Sequence, residues 1–224
     1  MKYDNITVGK FIERPNRFIA IVEINGDKKI CHVKNTGRCK ELLINGATVY
    51  LSRSDNPARK TEYDLVAVEK NGIMINIDSQ APNAVAEEFL PSYFGNDAKI
   101  YREKQFKNSR FDFYIESGER KIFLEVKGVT LEDGGVVRFP DAPTERGIKH
   151  INELVESMDC GYDAHILFVI QMRGVRYFEP NDATHKLFGD ALRSASSKGV
   201  KVIAYDCIVT PDSIRIESEV DVKL

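Results

Sequence analysis

Ser-Arg-Phe-Asp-Phe-Tyr-Ile-Glu at 109–116 and Lys-Ile-Phe-Leu-Glu-Val-Lys at 121–127, joined by Ser117-Gly118-Glu119-Arg120, form the stretch that decides the fold. Both runs alternate and are rich in aromatic and branched residues, and a glycine sits between them, so they read as a β-hairpin. A two-residue loop at Gly118-Glu119, a type II′ pattern, sets the register. Ile115 then faces Ile122, Phe113 faces Leu124 and Phe111 faces Val126, which makes one apolar face. The other face pairs Glu116 with Lys121, Tyr114 with Phe123 and Asp112 with Glu125, with Lys127 two residues on, beside Arg110. A loop centred on Ser117-Gly118 slides the pairing by two residues and leaves every side chain on its face.

Asp112 and Glu125 brought together across strands repel, and the pKa of one of them rises. A divalent cation removes that repulsion, and hard ions such as magnesium take carboxylate and carbonyl oxygens. Lys127 points to the same side as Glu125. An ammonium there positions a water or neutralises charge developing on a phosphate. The competing reading is a solvated sheet face with ordinary charges. Phe123 and Tyr114 share that face, however, which makes it part of a covered cleft.

The rest of the chain frames this hairpin. Its 224 residues hold one large domain or two small ones. The formal net charge of −2 gives no bulk attraction for a polyanion. Residues 1–83 carry thirteen Lys and Arg against ten Asp and Glu, whereas the remainder carries nineteen against twenty-four. A mildly basic first part beside an acidic second part suits a binding module joined to a cation site. Cys31, Cys39, Cys160 and Cys207 contain no C-x-x-C pair and read as reduced thiols of a cytoplasmic protein. Cys31-His32 with Cys39 lacks the spacing and the fourth ligand of a zinc site. No signal peptide shows at the start, and no apolar run approaches the roughly 20 residues that span a bilayer.

Before the hairpin, strands are expected at 6–13, 17–24, 28–34, 47–52, 62–69 and 73–78, with Asn25-Gly26 and Asn71-Gly72 as hairpin turns. Residues 36–43 read as a short helix with Thr36 as N-cap and Asn45-Gly46 as its stop. This layout predicts an OB-like β-barrel over 1–80. The loop 52–61 carries Arg53, Arg59 and Lys60, which either grip phosphates or are plain solvated charge. Residues 79–83 mark the boundary to a second domain over 81–224, α/β with a mixed sheet. A helix starts at Pro82 or Asn83 and stops at Pro91 or Gly95. A strand at 98–103 precedes the hairpin, and 130–137 is a longer loop. A strong helix over 144–158 is capped by Asp141 or Thr144, with Ile148, Ile151, Leu154, Val155 and Met158 as its apolar stripe. A buried strand at 164–172, a helix at 182–197 and a strand at 200–208 complete the order.

Asp on one strand and Glu-x-Lys on the next, within an αβββαβ order, resembles the PD-(D/E)xK nuclease superfamily. The resemblance implies that Asp112 and Glu125 hold Mg2+ (or Mn2+), that the Val126 carbonyl joins them, and that Lys127 is the catalytic base or charge stabiliser. Phe111 stands where the motif has Pro. A closer likeness comes from Asn35-Thr36-Gly37-Arg38, Ser109-Arg110-Phe111-Asp112, Leu124-Glu125-Val126-Lys127-Gly128-Val129-Thr130-Leu131 and Phe139-Pro140-Asp141-Ala142-Pro143-Thr144-Glu145-Arg146-Gly147. Together they resemble the sugar fermentation stimulation protein family over nearly the whole chain. That family implies an OB-like domain followed by a nuclease-like domain, DNA as partner, and a link to regulation of sugar metabolism.

The N-terminus of the 144–158 helix offers free N–H groups to a phosphate, with Thr144, Arg146 and Lys149 beside it. The competing reading there is a solvated face with a Glu145–Lys149 pair. Arg38, Arg53, Arg59, Lys60 and Arg110 complete the candidate nucleic-acid contacts. Gln171 either points into the cleft or simply ends its strand, and Glu87 or Glu88 either completes a metal shell or lies on the surface. His150 and His185 have no Ser or Cys partner at a telling spacing, so no nucleophilic catalysis is expected. Neither a sugar-kinase phosphate loop nor a dinucleotide fingerprint is present. Two functions follow: a cation-dependent nuclease, or a DNA-binding regulator that does not cleave and keeps a vestigial site. The oligomeric state is left open, a homodimer included.

Overall fold

The computed structural model describes residues 1–35 and 37–224. Six strands come first: β1 (Ile6–Asn16), β2 (Ile19–Ile24), β3 (Asp27–Val33), β4 (Thr48–Arg53), β5 (Tyr63–Lys70) and β6 (Ile73–Asn76), in the order β3-β2-β1-β4-β5-β6. β3 also pairs in parallel with β5, from Cys31↔Tyr63 to Val33↔Leu65, so five strands close into a barrel. β1 closes it by serving two partners. Ile6 to Lys10 pair with β4 and Lys10 to Asn16 with β2, with register shifts after Phe11 and Glu13 where the strand bends. Gly9 lies at that crossing, where a Cβ would fall 2.5 Å from Val22 Cγ1. Phe11, Val22, Val33, Leu51 and Leu65 fill the interior. Both Asn-Gly turns form as expected, with positive φ at Asn25, Gly26, Asn71 and Gly72.

The helix expected over 36–43 does not form. Among the described residues one turn closes, with Leu43 N–H on the Cys39 carbonyl, and Cys39 has φ +47°. The reason lies upstream: the Arg14 guanidinium donates to the carbonyls of Gly37 (2.7 Å) and Arg38 (2.8 Å), acceptors that a helix would use, and to that of Asn35 (2.5 Å) just before them. The N-cap assigned to Thr36 falls outside the described residues.

The second part is built from α1 (Ala81–Phe94), β7 (Lys99–Phe106), β8 (Ser109–Ser117), β9 (Arg120–Val129), β10 (Leu131–Asp133), β11 (Val136–Phe139), α2 (Glu145–Met158), β12 (Asp163–Ile170), β13 (Tyr177–Pro180), α3 (Asp182–Ser197), β14 (Lys201–Thr210) and β15 (Ser213–Glu219). Its main sheet runs β15-β14-β12-β9-β8-β7, with β9, β12 and β14 parallel and the remaining pairs antiparallel. This is the mixed α/β architecture expected. α1 covers one face through Val85, Ala86 and Leu90, against Phe113, Ile115, Ile122 and Leu124. α2 and α3 cover the other through Ile151, Leu154, Phe188 and Leu192, against Phe123 and Phe168. β12 is buried from Ala164 onward, as a strand covered on both faces must be.

The segment after β9 differs from expectation. Residues 130–137 are not a loop: β10 and β11 form a hairpin across Gly134-Gly135, and β11 continues into a three-stranded sheet with β13. α1 runs through Pro91 and stops at Gly95, the second of the two stops expected, whose N–H reaches the Pro91 carbonyl. No described helix is long and apolar enough to cross a membrane.

The β8–β9 register holds from Ser117↔Arg120 to Phe113↔Leu124 and then ends. The expected pairs Asp112–Glu125 and Phe111–Val126 do not form. Phe111 leaves the apolar face and packs its ring 5.1 Å from Phe123, among the residues under α2. The ladder with β7 also skips Asp112, opposite Glu103 at φ +56°. The physical cause is Asp112 itself, whose Oδ2 accepts the Val126 N–H at 2.8 Å and so takes the place of a strand carbonyl.

Candidate active-site cleft

The parting of β8 and β9 opens a cleft of about 380 Å³ between the barrel and the mixed sheet. Asp112, Glu125, Val126 and Lys127 all line it, so the sequence-level grouping of these four stands in space. The two carboxylates approach it from opposite covers. Asp112 is held toward α1, where Asn83 Nδ2 donates to Oδ1 at 2.8 Å. Glu125 is held toward α2, where His150 Nδ1 donates to Oε1, and Lys127 Nζ reaches the same oxygen at 2.6 Å. Glu125 is 3% exposed, and its Oε2 is buried with no hydrogen-bond partner.

Their electrostatics diverge. Burial pushes the Asp112 carboxyl above its ordinary value and the Glu125 charge adds to this. The Val126 N–H, Asn83 and Lys127 oppose it without cancelling it. Burial also acts upward on Glu125, but His150 and Lys127 outweigh it and leave that carboxyl below its ordinary value. One of two neighbouring carboxylates is raised, as the sequence predicts, though burial contributes more to this than the neighbour does.

The donor set suits a hard cation: two carboxylates and backbone oxygen, with one buried carboxylate oxygen lacking any donor. Val126 turns its N–H to Asp112, and a strand residue sends N–H and C=O off the same edge, so its carbonyl leaves on the opened side. Among the described residues no three His, Cys, Asp or Glu side chains gather into a ready cage. Glu87 and Glu88 do not supply a third carboxylate: Glu87 pairs with Arg102 at 3.5 Å and Glu88 with the N-terminal amine at 2.6 Å.

Cations ring the cleft unevenly. Arg110 and Arg146 are exposed at its mouth, Arg110 only loosely paired with Glu103 at 3.4 Å. Arg138, which sequence reading passed over, also lines it and is paired with Glu179 at 2.7 Å. Lys149 lies outside, donating to the Asn108 carbonyl at 2.9 Å and facing Glu153 at 3.7 Å. Thr144 is the N-cap of α2, its Oγ1 accepting from Gly147 N–H, while its own N–H goes to His185 Nδ1. Arg38 is exposed in an adjoining groove with Arg14, Arg17 and Lys40, which meets the cleft at Gly37.

The 52–61 loop stands apart and shares no lining residue with the cleft. Arg53 is paired with Glu62 at 2.7 Å. Arg59 grips buried Asp64 with both terminal nitrogens, and Lys34 adds a contact at 3.1 Å. Burial would raise Asp64, yet Arg59, Lys34 and His32 hold it down to about 2. Arg59 is therefore a structural counter-ion, because its charge is already spent, and only Lys60 of the three is exposed without an acidic partner among the described residues.

Other residues shape the cleft in ways that the sequence alone does not assign. His150, on α2, is buried and touches Glu125. Gly128 allows the wall to close, since a Cβ there would meet Gln171 Oε1 and Pro82 Cγ at 2.6 Å. Gln171 does line the cleft, but its Nε2 is fully used on Asn76 Oδ1 and the carbonyls of Asn76 and Asp78, which ties barrel to sheet. Asn35 and Gly37 bring the barrel's loop to the cleft, and a Cβ on Gly37 would sit 2.7 Å from Asp141 Oδ2.

Comparison with known proteins places this arrangement. A family model described as the sugar fermentation stimulation protein RE domain matches residues 80–213, and one described as the SfsA N-terminal OB domain matches 12–77. The chain is 58% identical over 228 residues to a sugar fermentation stimulation protein homolog of Clostridium beijerinckii, covering 100% of both. It is 57% identical to a homolog of Desulfitobacterium hafniense, covering 100% of this chain and 99% of the relative. A solved structure of Pyrococcus furiosus SfsA in complex with Ca2+ aligns with TM-score 0.88 at 28% identity, covering 100% of this chain and 98% of the other.

Proposed function

The chain belongs to the sugar fermentation stimulation protein family, and we propose that it is a cytoplasmic, DNA-binding phosphodiesterase that needs a divalent cation, Mg2+ or Mn2+. One observation carries this reading: Asp112, Glu125 and Lys127 meet in a single cleft where a buried carboxylate oxygen has no donor. Asp112, Glu125 and the Val126 carbonyl are the residues that would hold the cation. When bound, such an ion offsets phosphate charge and makes water a better nucleophile near neutral pH. The Ca2+ of the Pyrococcus furiosus relative supports the choice of a hard, oxygen-seeking ion.

The chain's own groups do the remaining work. Arg110 and Arg146, exposed at the mouth, seat the phosphodiester by charge-assisted hydrogen bonds. Lys127 places an ammonium 2.6 Å from Glu125, where it orients the attacking water and offsets charge growing on the phosphoryl oxygens. The groove carrying Arg38, Arg17 and Lys40 extends the path of the strand over the barrel. A second reading, a DNA-binding regulator that does not cleave, draws on the lack of a third acidic, His or Cys ligand among the described residues.

Incubation of the chain with single- and double-stranded DNA and RNA, with Mg2+ or Mn2+, separates the two. Cleavage by the native chain that disappears in both Glu125→Ala and Lys127→Ala is expected. Binding that persists without metal, with no cleavage of any substrate, would assign the regulator instead.

A further inference from the structure

The structure assigns His150 as the positioning residue for Glu125: its ring decides which carboxylate oxygen is spent on side chains and which is left for a cation. This deepens the function proposed above and rests on it. Glu125 Oε1 receives two donors, His150 Nδ1 and Lys127 Nζ, while the buried Oε2 receives none. A buried carboxylate oxygen without a donor is costly unless something else supplies positive charge. The one-sided bonding of Glu125 therefore points its free oxygen at a missing partner, and a ligating carboxylate is held by just such outer contacts.

His150 is itself held on both sides. Its Nε2 lies 3.4 Å from Arg146 Nε, which always carries a hydrogen and so must donate. That contact leaves the ring proton on Nδ1, facing Glu125, a tautomer assigned from the partners on the two nitrogens. Phe111 packs against the ring at 6.2 Å, near perpendicular, and Thr144 caps the helix that carries it. Lys127 cannot do this work alone. It rides on a flexible stem, and beside Glu125 it also serves the attacking water and the phosphoryl oxygens. His150 keeps Glu125 in place.

The test is calorimetric titration of Mn2+ into the full chain without nucleic acid, with thermal unfolding in chelator run beside it. An Asn amide nitrogen falls near the place of the histidine Nδ1, and a Gln amide nitrogen near that of Nε2. His150→Asn should therefore bind Mn2+ within about threefold of the native chain, while His150→Gln and His150→Ala lose about 10–100-fold. A side chain that merely packs would give Asn and Gln equal affinities, and that result overturns the proposal, as does native-like binding by His150→Gln. A Gln or Asn variant that no longer folds in chelator assigns His150 to the core and overturns it as well. Glu125→Gln is the control. If it abolishes binding while His150→Gln does not weaken it, the positioning role falls and the cation site stands. If the native chain shows no saturable binding, the cation reading falls and takes the positioning role with it.

Discussion

Replacing His165 should remove most of the acid sensitivity of this fold between pH 7.5 and pH 5. His165 sits on β12, 2% exposed, with Phe94 and Tyr93 against its ring and no partner for Nδ1. Burial lowers its pKa, Lys201 and Arg120 lower it further, and Asp163 opposes them, leaving it at about 4 against 6.5. A base whose folded pKa is depressed binds more protons when unfolded, so stability is full above about pH 6.5 and is lost as pH falls toward 4. With about 1.36 kcal/mol per pKa unit, the whole window is worth about 3 kcal/mol, of which about 2 kcal/mol is gone by pH 5. In a chain of this length that is roughly 4–8 °C in Tm. His165→Leu keeps an apolar group of similar size and cannot charge. Urea unfolding of both proteins at pH 7.5 and pH 5 measures the difference of differences. The native chain should lose about 2 kcal/mol more than the variant over that interval. Losses that agree within about 0.5 kcal/mol would refute the assignment of His165 as a buried neutral imidazole.

Arg59→Ala should cost about 2 kcal/mol of stability by stripping buried Asp64 of its paired donor, read by urea unfolding, and should leave the salt dependence of DNA binding unchanged. Arg146→Ala should do the opposite, lowering the slope of log affinity against log salt by about one, because one phosphate contact is lost. Thiol titration of the native chain should find one fast group, Cys160, and four after unfolding. Cys31, Cys39 and Cys207 are buried, with burial pushing the Cys31 and Cys39 thiols up to about 12 and the Cys207 thiol higher still. More than one fast thiol in the native state would refute that burial pattern.

What the sequence made legible, and what it hid, separate at one point on the hairpin. Up to Phe113–Leu124 the register follows from alternation and a two-residue turn, both local properties, and it was readable without coordinates. One pair further it fails, because the Asp112 carboxylate replaces a backbone acceptor, and a side chain acting as backbone leaves no mark on the periodicity. The lost helix at 36–43 has the same origin: Arg14, far upstream, claims the carbonyls. The β10–β11 hairpin was hidden for a different reason, since strands of three and four residues are too short to show a period. Arg59 looked free because its counter-ion lies inside the barrel wall.

His150 is the instructive omission. The apolar stripe expected on α2, Ile148, Ile151, Leu154, Val155 and Met158, does pack on the core, and beside it the polar residues His150, Glu153 and Ser157 are buried as well. A histidine inside a buried stripe needs a partner, and a glutamate on the adjacent strand is the cheapest one. The Glu-x-Lys spacing locates a carboxylate; the helix behind it determines that one of its oxygens stays free. Asp112 obeys the same logic through Asn83, another helix residue that no strand motif contains. A strand pattern therefore finds the donors of such a cleft, and the two covering helices decide whether they are arranged to bind.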